Sequence, residues 1–424
     1  MKEVKIGIIG MGTVASGVYN VIAQEGDYIL HKEGLRLKVS KVFALSYSID
    51  IPEELKGKSS EDVIDSPDTD IICELIGGIE PAKTFIIRAL RAGKTVVTAN
   101  KQLIANHWGE LEAEAKKTGA GLYFEASVGG GIPCLRAVTD SLQANYIDSV
   151  YGIVNGTTNF ILTKMADEGG DYAEVLKEAQ ELGYAEADPT ADVEGYDSMY
   201  KLSILASMAF HTRLPIEHIY REGISAISKK DIAAAKELGY TIKLLAIAKR
   251  EKNGKVQMRV HPTMLHNNHP LASVKGSFNA IFMHGSAVDD VMLYGRGAGD
   301  FPTASAIISD IVYAAHTNEH RYMSFKNVQG EVSQDVIFDD NWETGFYLRL
   351  ILTDAPGALA KVATVLGNNG VSLESVIQRD IDENGASVIF ATHKTHELSV
   401  ENALEQLRGT DVVKEIASVI RVER

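Results

Sequence analysis

The chain has 424 residues, 45% of them hydrophobic and 23% charged, with a formal net charge of −15 at pH 7. That is a globular composition, long enough for two or three cores, and its acidic balance without a basic stripe excludes a nucleic-acid binder. No run reaches the roughly 20 apolar residues of a membrane helix, the chain opens on a strand pattern with no signal peptide, and its two cysteines, Cys73 and Cys134, read as small buried side chains in a reducing cytoplasm.

Residues 1–133 alternate apolar strands with helical patterns, which predicts an α/β fold with a Rossmann-type, doubly wound parallel sheet. The segment KIGIIG, Lys5–Gly10, reads as a buried strand. It runs into Gly10-Met11-Gly12-Thr13-Val14-Ala15, and a helix follows to about Gln24. This is G-x-G-x-x-A between a strand and a helix, the context in which the motif binds a dinucleotide. Gly10 allows the tight turn, Gly12 lets the backbone approach a pyrophosphate, and the helix N-terminus faces the anion. Further strands are predicted over Val39–Leu45, Ile71–Leu75, Thr95–Thr98 and Gly121–Phe124, and helices over Lys83–Ala92 and Trp108–Lys117. Gly93 and Gly119 stand where helix C-caps belong.

Residues 134–320 read as a mixed α+β region with at least four helices, the catalytic and dimerisation domain. Its most informative stretch, AQELGYAEADPTADVEGYDSMYK, gathers Glu186, Asp188, Asp192, Glu194, Asp197 and Lys201. Asp197 and Lys201 are four apart, so a helix puts them on one face, and an apolar helical run follows. A lysine held beside carboxylates at the edge of a core can exchange a proton near neutral pH. A solvated acidic loop leading into an ordinary helix with an ion pair satisfies the same pattern. A second glycine-rich loop, Gly295–Gly299, precedes a helix expected from about Thr303.

Residues 321–345 read as a connector, polar over 326–344, and 346–424 as a separate small domain. A strand over FYLRLILT, a turn at Asp354–Gly357, a helix to Asn369, a strand, a hairpin at Asp382–Gly385, a strand, a helix over Val400–Leu407 and a last strand over Val412–Val422 give β-α-β-β-α-β, the ferredoxin-like order.

Taken together, GMGTVASGV at 10–18, TANKQLIA at 98–105, FEASVGGGIP at 124–133, NGTTNFIL at 155–162, LGYAEADPTADVEGYDSMYK at 182–201 and GRGAGDFPTASA at 295–306 resemble homoserine dehydrogenase, in its monofunctional form with a C-terminal ACT domain. The resemblance covers essentially the whole chain. It implies a nicotinamide-dependent interconversion of L-homoserine and L-aspartate 4-semialdehyde, in the branch leading to threonine, methionine and isoleucine. It implies a homodimer or homotetramer with a small-molecule substrate and a possible amino-acid effector at the ACT domain. Position by position, Gly10, Gly12, Thr13 and Val14 match the pyrophosphate loop, with Gly299 of the second glycine loop as a further cofactor contact. Lys101 matches a lysine between the nicotinamide and the reacting carbon. Glu186 and Asp197 match residues that hold the substrate amine and hydroxyl, with Asp192 beside them, and Lys201 matches the proton donor. Glu125, with the carbonyls of Val128, Gly130 and Ile132, matches a site for a monovalent cation, usually sodium.

The chemistry agrees. Reducing an aldehyde leaves an alkoxide, which a nearby ammonium stabilises and protonates. A substrate ammonium suits carboxylates such as Glu186, and hard oxygen ligands suit a small hard cation. One position departs from the family. Many members carry Arg-Asp after the second strand, where the arginine meets the 2′-phosphate of NADP; here Leu45-Ser46 stands there, so the choice between NADP and NAD stays open. The histidine sets His316/His320 and His261/His266/His269 read as surface or packing residues. Two rival readings remain. Aspartate-semialdehyde dehydrogenase would need Cys134 as nucleophile. A non-catalytic NAD(P)- and amino-acid-binding sensor would leave Lys101, Lys201, Glu186 and Asp197 without a task.

Overall fold

The computed structural model describes residues 2–317, 336–382 and 385–423. The chain opens with β1 (Lys2–Ile9), α1 (Thr13–Glu33), β2 (Leu35–Phe43), α2 (Ser60–Ile64), β3 (Ile71–Glu74), α3 (Ala82–Arg91), β4 (Thr95–Thr98), α4 (Lys101–Thr118) and β5 (Leu122–Tyr123). The five strands form a parallel sheet in the order β2-β1-β3-β4-β5. Chain connections reverse direction between β1 and β3, so a crevice opens at the strand ends there, the place where doubly wound sheets bind ligands. Gly10 fills the turn after β1 with φ +100°, and a Cβ there would stand 2.8 Å from the Leu75 carbonyl oxygen. A side chain is excluded at that position by both strain and contact.

Several boundaries differ from the sequence expectation. Helix α1 continues nine residues past Gln24, through Gly26, and ends only where Gly34 adopts the left-handed C-cap at φ 69°. That cap turns the chain directly into β2, which therefore occupies Leu35–Phe43 and leaves Leu45 outside the strand and 98% exposed. Helix α4 starts at Lys101 because the Asn100 side chain accepts from the Leu103 N–H, a cap worth about 1 kcal/mol.

The middle of the chain supplies α5 (Cys134–Arg136), β6 (Ile147–Ile153), α6 (Gly156–Glu168), α7 (Tyr172–Glu181), α8 (Thr190–Val193), α9 (Tyr196–Phe210), β7 (Tyr220–Arg221), α10 (Lys229–Glu237), β8 (Tyr240–Arg250), β9 (Lys255–His266), β10 (Phe278–Gly285), β11 (Asp289–Arg296) and α11 (Asp300–His316). The last part supplies β12 (Ile337–Phe338), β13 (Glu343–Leu352), α12 (Ala358–Asn368), β14 (Leu373–Asp382), β15 (Gly385–Thr392), β16 (Thr395–His396), α13 (Glu397–Arg408) and β17 (Val413–Glu423). Helix α9 is apolar on nearly every face and is buried from Asp197 almost throughout, so it is the central helix of its domain. Helix α11 returns to the first domain: Ala304, Ile307 and Ile311 share a core with Ile6, Ile8 and Val39. Among the described residues no helix is long and apolar enough to cross a membrane.

The C-terminal β-α-β-β-α-β unit forms as expected, with strand order β17-β13-β15-β14. It is not a separate sheet, however. β17 pairs in parallel with β9, Arg421 opposite Thr263 and Glu423 opposite Leu265, so one sheet runs β11-β10-β6-β8-β9-β17-β13-β15-β14. Buried ion pairs sew the joint. Arg421 contacts Glu397 and Glu222, Arg259 contacts Glu423, and Arg349 Nε reaches Asp231 Oδ1 at 2.8 Å. Residues 318–335, which hold His320 and most of the expected connector, and residues 383–384 of the expected hairpin lie outside the described residues. Trp342, within the expected connector, is buried at 3% exposure.

Candidate active site

The crevice begins at the N-terminus of α1. Gly12 is its N-cap, carries no side chain over the helix end, and has no atom within 4 Å of where a Cβ would lie. A 21-residue helix thus presents free N–H groups and its positive dipole end to open space, which suits a pyrophosphate. Leu45 lies fully in solvent just beyond β2.

From Val14 a cavity of about 860 Å³ runs past Glu74–Gly78 and Asn100–Gln102 to Glu186, Asp192, Tyr196, Asp197 and Tyr200. Its polar floor is a single charge cluster. Asp197, in the first turn of α9, is buried at 6% exposure. Its Oδ2 accepts from Lys201 Nζ at 2.7 Å, one turn along the helix, and its Oδ1 lies 3.1 Å from Lys101 Nζ. Lys201 Nζ also donates to the Val154 carbonyl at 2.8 Å. Burial disfavours the Asp197 charge, but Lys201 and Lys101 outweigh it and hold the carboxyl well below the usual range. Lys101 is raised in turn by Asp197, against its own burial.

Asn155 organises the acidic side. It caps α6, and its Nδ2 donates to Asp192 Oδ1 at 2.7 Å and to Asp197 Oδ2 at 2.9 Å. Burial, then the neighbouring Asp197, raises the Asp192 carboxyl. Sequence reasoning quoted NGTTNFIL without giving Asn155 a task; the signal available was an asparagine at a helix N-cap. Glu186 lies on the exposed wall of the same cavity. So Val14, Lys101, Glu186, Asp192 and Asp197 line one space and Lys201 sits directly beneath it. Gly10, Gly12 and Thr13 precede Val14 at the start of α1 and are not among the lining residues. Gly299, the N-cap of α11 at φ 115°, is not among the lining residues.

The Glu125 region is a second buried cluster. Glu125 Oε1 and Oε2 accept from the Leu135 and Arg136 N–H groups, each at 2.9 Å, and the Glu125 N–H donates to Asp310 Oδ2 at 2.9 Å. Among the described residues Val128 O accepts a long 3.5 Å contact from Cys134 Sγ, and Gly131 N–H donates to Arg296 O. Burial and the Asp310 charge push Glu125 up to about 8, and burial pushes Asp310 up to about 6 although Arg136 opposes it. Two buried carboxyls share one guanidinium, so the cluster is short of positive charge. Hard oxygens with that deficit fit a monovalent cation. Among the described residues no group of three or more His, Cys, Asp or Glu is placed to hold a metal. His316 Nε2 lies 3.3 Å from Glu33, and His261 Nδ1 bonds Thr263 Oγ1 at 3.0 Å inside the core.

Comparison with known proteins agrees with this geometry. Residues 10–125 match the homoserine dehydrogenase NAD-binding domain, 133–312 the homoserine dehydrogenase family, and 346–411 the ACT domain. The homoserine dehydrogenase of Bacillus subtilis is 41% identical, covering 100% of this chain and 99% of its own length. That of Corynebacterium glutamicum is 44% identical, covering 100% and 96%. The chain belongs to the homoserine dehydrogenase family. A crystal structure of a homoserine dehydrogenase from Thiobacillus denitrificans superimposes with a TM-score of 0.92 at 38% identity, over 100% of this chain and 99% of that one. A hyperthermophilic archaeal homoserine dehydrogenase solved in complex with NADPH covers 76% of this chain and 100% of its own, with a TM-score of 0.64 at 28% identity.

As a member of that family, the protein is an NAD(P)-dependent oxidoreductase, and the sensor reading is set aside. The aspartate-semialdehyde dehydrogenase reading fails on Cys134. Its thiol is fully buried, and burial, with the nearby Glu125, raises it well above the ordinary value. A thiolate nucleophile needs the opposite environment.

Proposed function

We propose that Lys201 is the proton donor and Asp197 its anchor in the interconversion of L-homoserine and L-aspartate 4-semialdehyde, with Lys101 bordering the reacting carbon. The observation that carries this reading is Asp197 holding Lys201 on one carboxylate oxygen and Lys101 on the other, at the floor of the cavity. An ammonium has three donors. Lys201 spends two on Asp197 and Val154, and the third is available to a substrate oxygen. In the reducing direction that N–H hands its proton to the developing alkoxide, while Lys101 adds positive charge beside it. The nicotinamide, when bound, supplies or accepts the hydride. Gly10, Gly12, Thr13 and Val14 would hold its pyrophosphate, with Lys101 and Gly299 as further contacts. Glu186 and Asp192 would take the substrate ammonium. Measuring NADH and NADPH oxidation with aspartate 4-semialdehyde tests the substrate; no turnover with either would refute it.

Three finer assignments belong to the same reading. Glu125, with the Val128, Gly130 and Ile132 carbonyls, holds a monovalent cation such as sodium; unchanged activity and melting when choline replaces sodium at constant ionic strength would argue against it. The turn at Asp354–Ala358, at the start of α12, receives an amino-acid effector, threonine first; calorimetric titration decides. The protein works in the cytoplasm as a homodimer or homotetramer in the threonine, methionine and isoleucine branch, and sedimentation measures the assembly.

A further inference from the structure

Glu74 is the last residue of β3, fully buried, and has no cationic partner among the described ion pairs. Burying a carboxyl without a cation is costly unless hydrogen bonds repay it. Here three donors converge on it. Oε1 accepts from the Ile76 N–H at 2.9 Å and the Gly77 N–H at 3.3 Å, and Oε2 accepts from Thr98 Oγ1 at 2.7 Å. Burial raises its carboxyl above the usual value despite those bonds.

The donors belong to two functional elements. Ile76, Gly77 and Gly78 form a shelf of the cavity, with both glycines in the left-handed region at φ 74° and 71°. Ile76 also abuts Gly10, where its Cγ2 would stand 2.8 Å from an added Cβ. Thr98 ends β4, and its Oγ1 accepts the Asn100 N–H at 3.0 Å. Asn100 then donates from Nδ2 to the Gly78 carbonyl at 2.6 Å and caps α4 through Leu103 N–H at 3.0 Å. The circuit closes: Glu74 holds the shelf, the shelf holds Asn100, Asn100 bonds Thr98, and Thr98 returns to Glu74. The residue it delivers is Lys101, first of α4 and in contact with Asp197.

We propose that Glu74 is a positioning residue for the reaction, setting Lys101 through Thr98 and Asn100 and fixing the Ile76–Gly78 shelf against the Gly10 turn. Its described hydrogen bonds all go to the shelf and to Thr98. This inference rests on the role given to Lys101 above.

A double-mutant cycle separates the two claims. Glu74→Ala should lower kcat about 10- to 100-fold, the scale of misplacing a catalytic group by an ångström. In a Lys101→Ala background the same change should cost less than about 2-fold, because residues acting through one another are not additive. Glu74→Gln, which keeps the acceptor for the two N–H groups, should recover most of the loss. Should Glu74→Ala not fold, Thr98→Val breaks the same link and replaces it in the cycle. Equal fold-losses in both backgrounds, or no loss in the wild-type background, would overturn the proposal. A Lys101→Ala enzyme with unchanged kcat would instead overturn the reading of Lys101.

Discussion

Lys101 and Asp197 meet at 3.1 Å across the line between the dinucleotide-binding domain and the domain that carries the acidic loop. Each is fixed by its own helix start, Lys101 as the first residue of α4 and Asp197 in the first turn of α9. The contact therefore reports the relative placement of the two domains. It also explains why the charge cluster faces the cofactor crevice, since α4 follows the strand β4 of the parallel sheet.

Glu186 lies on the exposed wall of the cavity, close enough for its charge to act on Lys101, and the proposed reading gives it a binding part. Glu186→Gln should raise the KM for homoserine several-fold, roughly 1 kcal/mol of lost charge-assisted contact, with kcat little changed. Steady-state kinetics in the oxidising direction checks it. A fall in kcat at constant KM would move Glu186 into the chemical step.

Leu45 is 98% exposed and touches no core, so it can be replaced without cost to the fold. Leu45→Arg should shift kcat/KM toward NADP over NAD, because a guanidinium pairs bidentately with a 2′-phosphate. Both cofactors measured on both proteins decide it. An unchanged ratio would mean that the phosphate is read elsewhere.

The joint between β9 and β17 changes what truncation should do. The sequence pattern alone suggests a detachable module. Removing 344–424 would strip Glu423 from Arg259, a side chain at 0% exposure, and bare the β9 edge. Arg259 then loses its carboxylate partner, and an exposed edge invites aggregation. The truncated chain should melt at lower temperature and aggregate. Melting within a degree or two of the full protein, with full activity, would contradict this.

Lys243 on β8 is buried, with Nζ donating to Asn159 Oδ1 at 2.9 Å and Val274 O at 2.6 Å, and no carboxylate pairs with it among the described ion pairs. Burial, with Lys275 nearby, lowers it from 10.5 to about 8. The folded state thus favours the neutral amine. The lysine carries no charge penalty above pH 10.5, gains one as pH falls from 10.5 to about 8, and keeps it below that. Lys243→Met should therefore be more favourable relative to wild type at pH 7 than at pH 10. Thermal melts at both values check it; a difference independent of pH would mean that the amine does not titrate.

Much of this was legible in the chain itself. Gly10, Gly12 and Ala15 announced the crevice because their constraint is local, and Asp197 with Lys201 announced a charge pair because four residues is one helical turn. Lys101 was reached through family likeness. Asn155 and Glu74 were missed because each acts through partners distant in sequence, the Asp192 and Asp197 carboxylates for one and Thr98 for the other. The β9–β17 pairing was invisible for the same reason: either strand reads equally well as a domain edge. Gly26 hid the length of α1, since a helix tolerates one glycine at about 1 kcal/mol when its cap lies further on.

The proposed proton donor is Lys201, anchored by Asp197. Its most direct test is the turnover of Lys201→Ala with aspartate 4-semialdehyde and saturating cofactor, alongside a melting curve that certifies the fold. Its kcat should fall by at least about 100-fold, the typical worth of an acid–base group. Turnover close to wild type in a folded protein would contradict it.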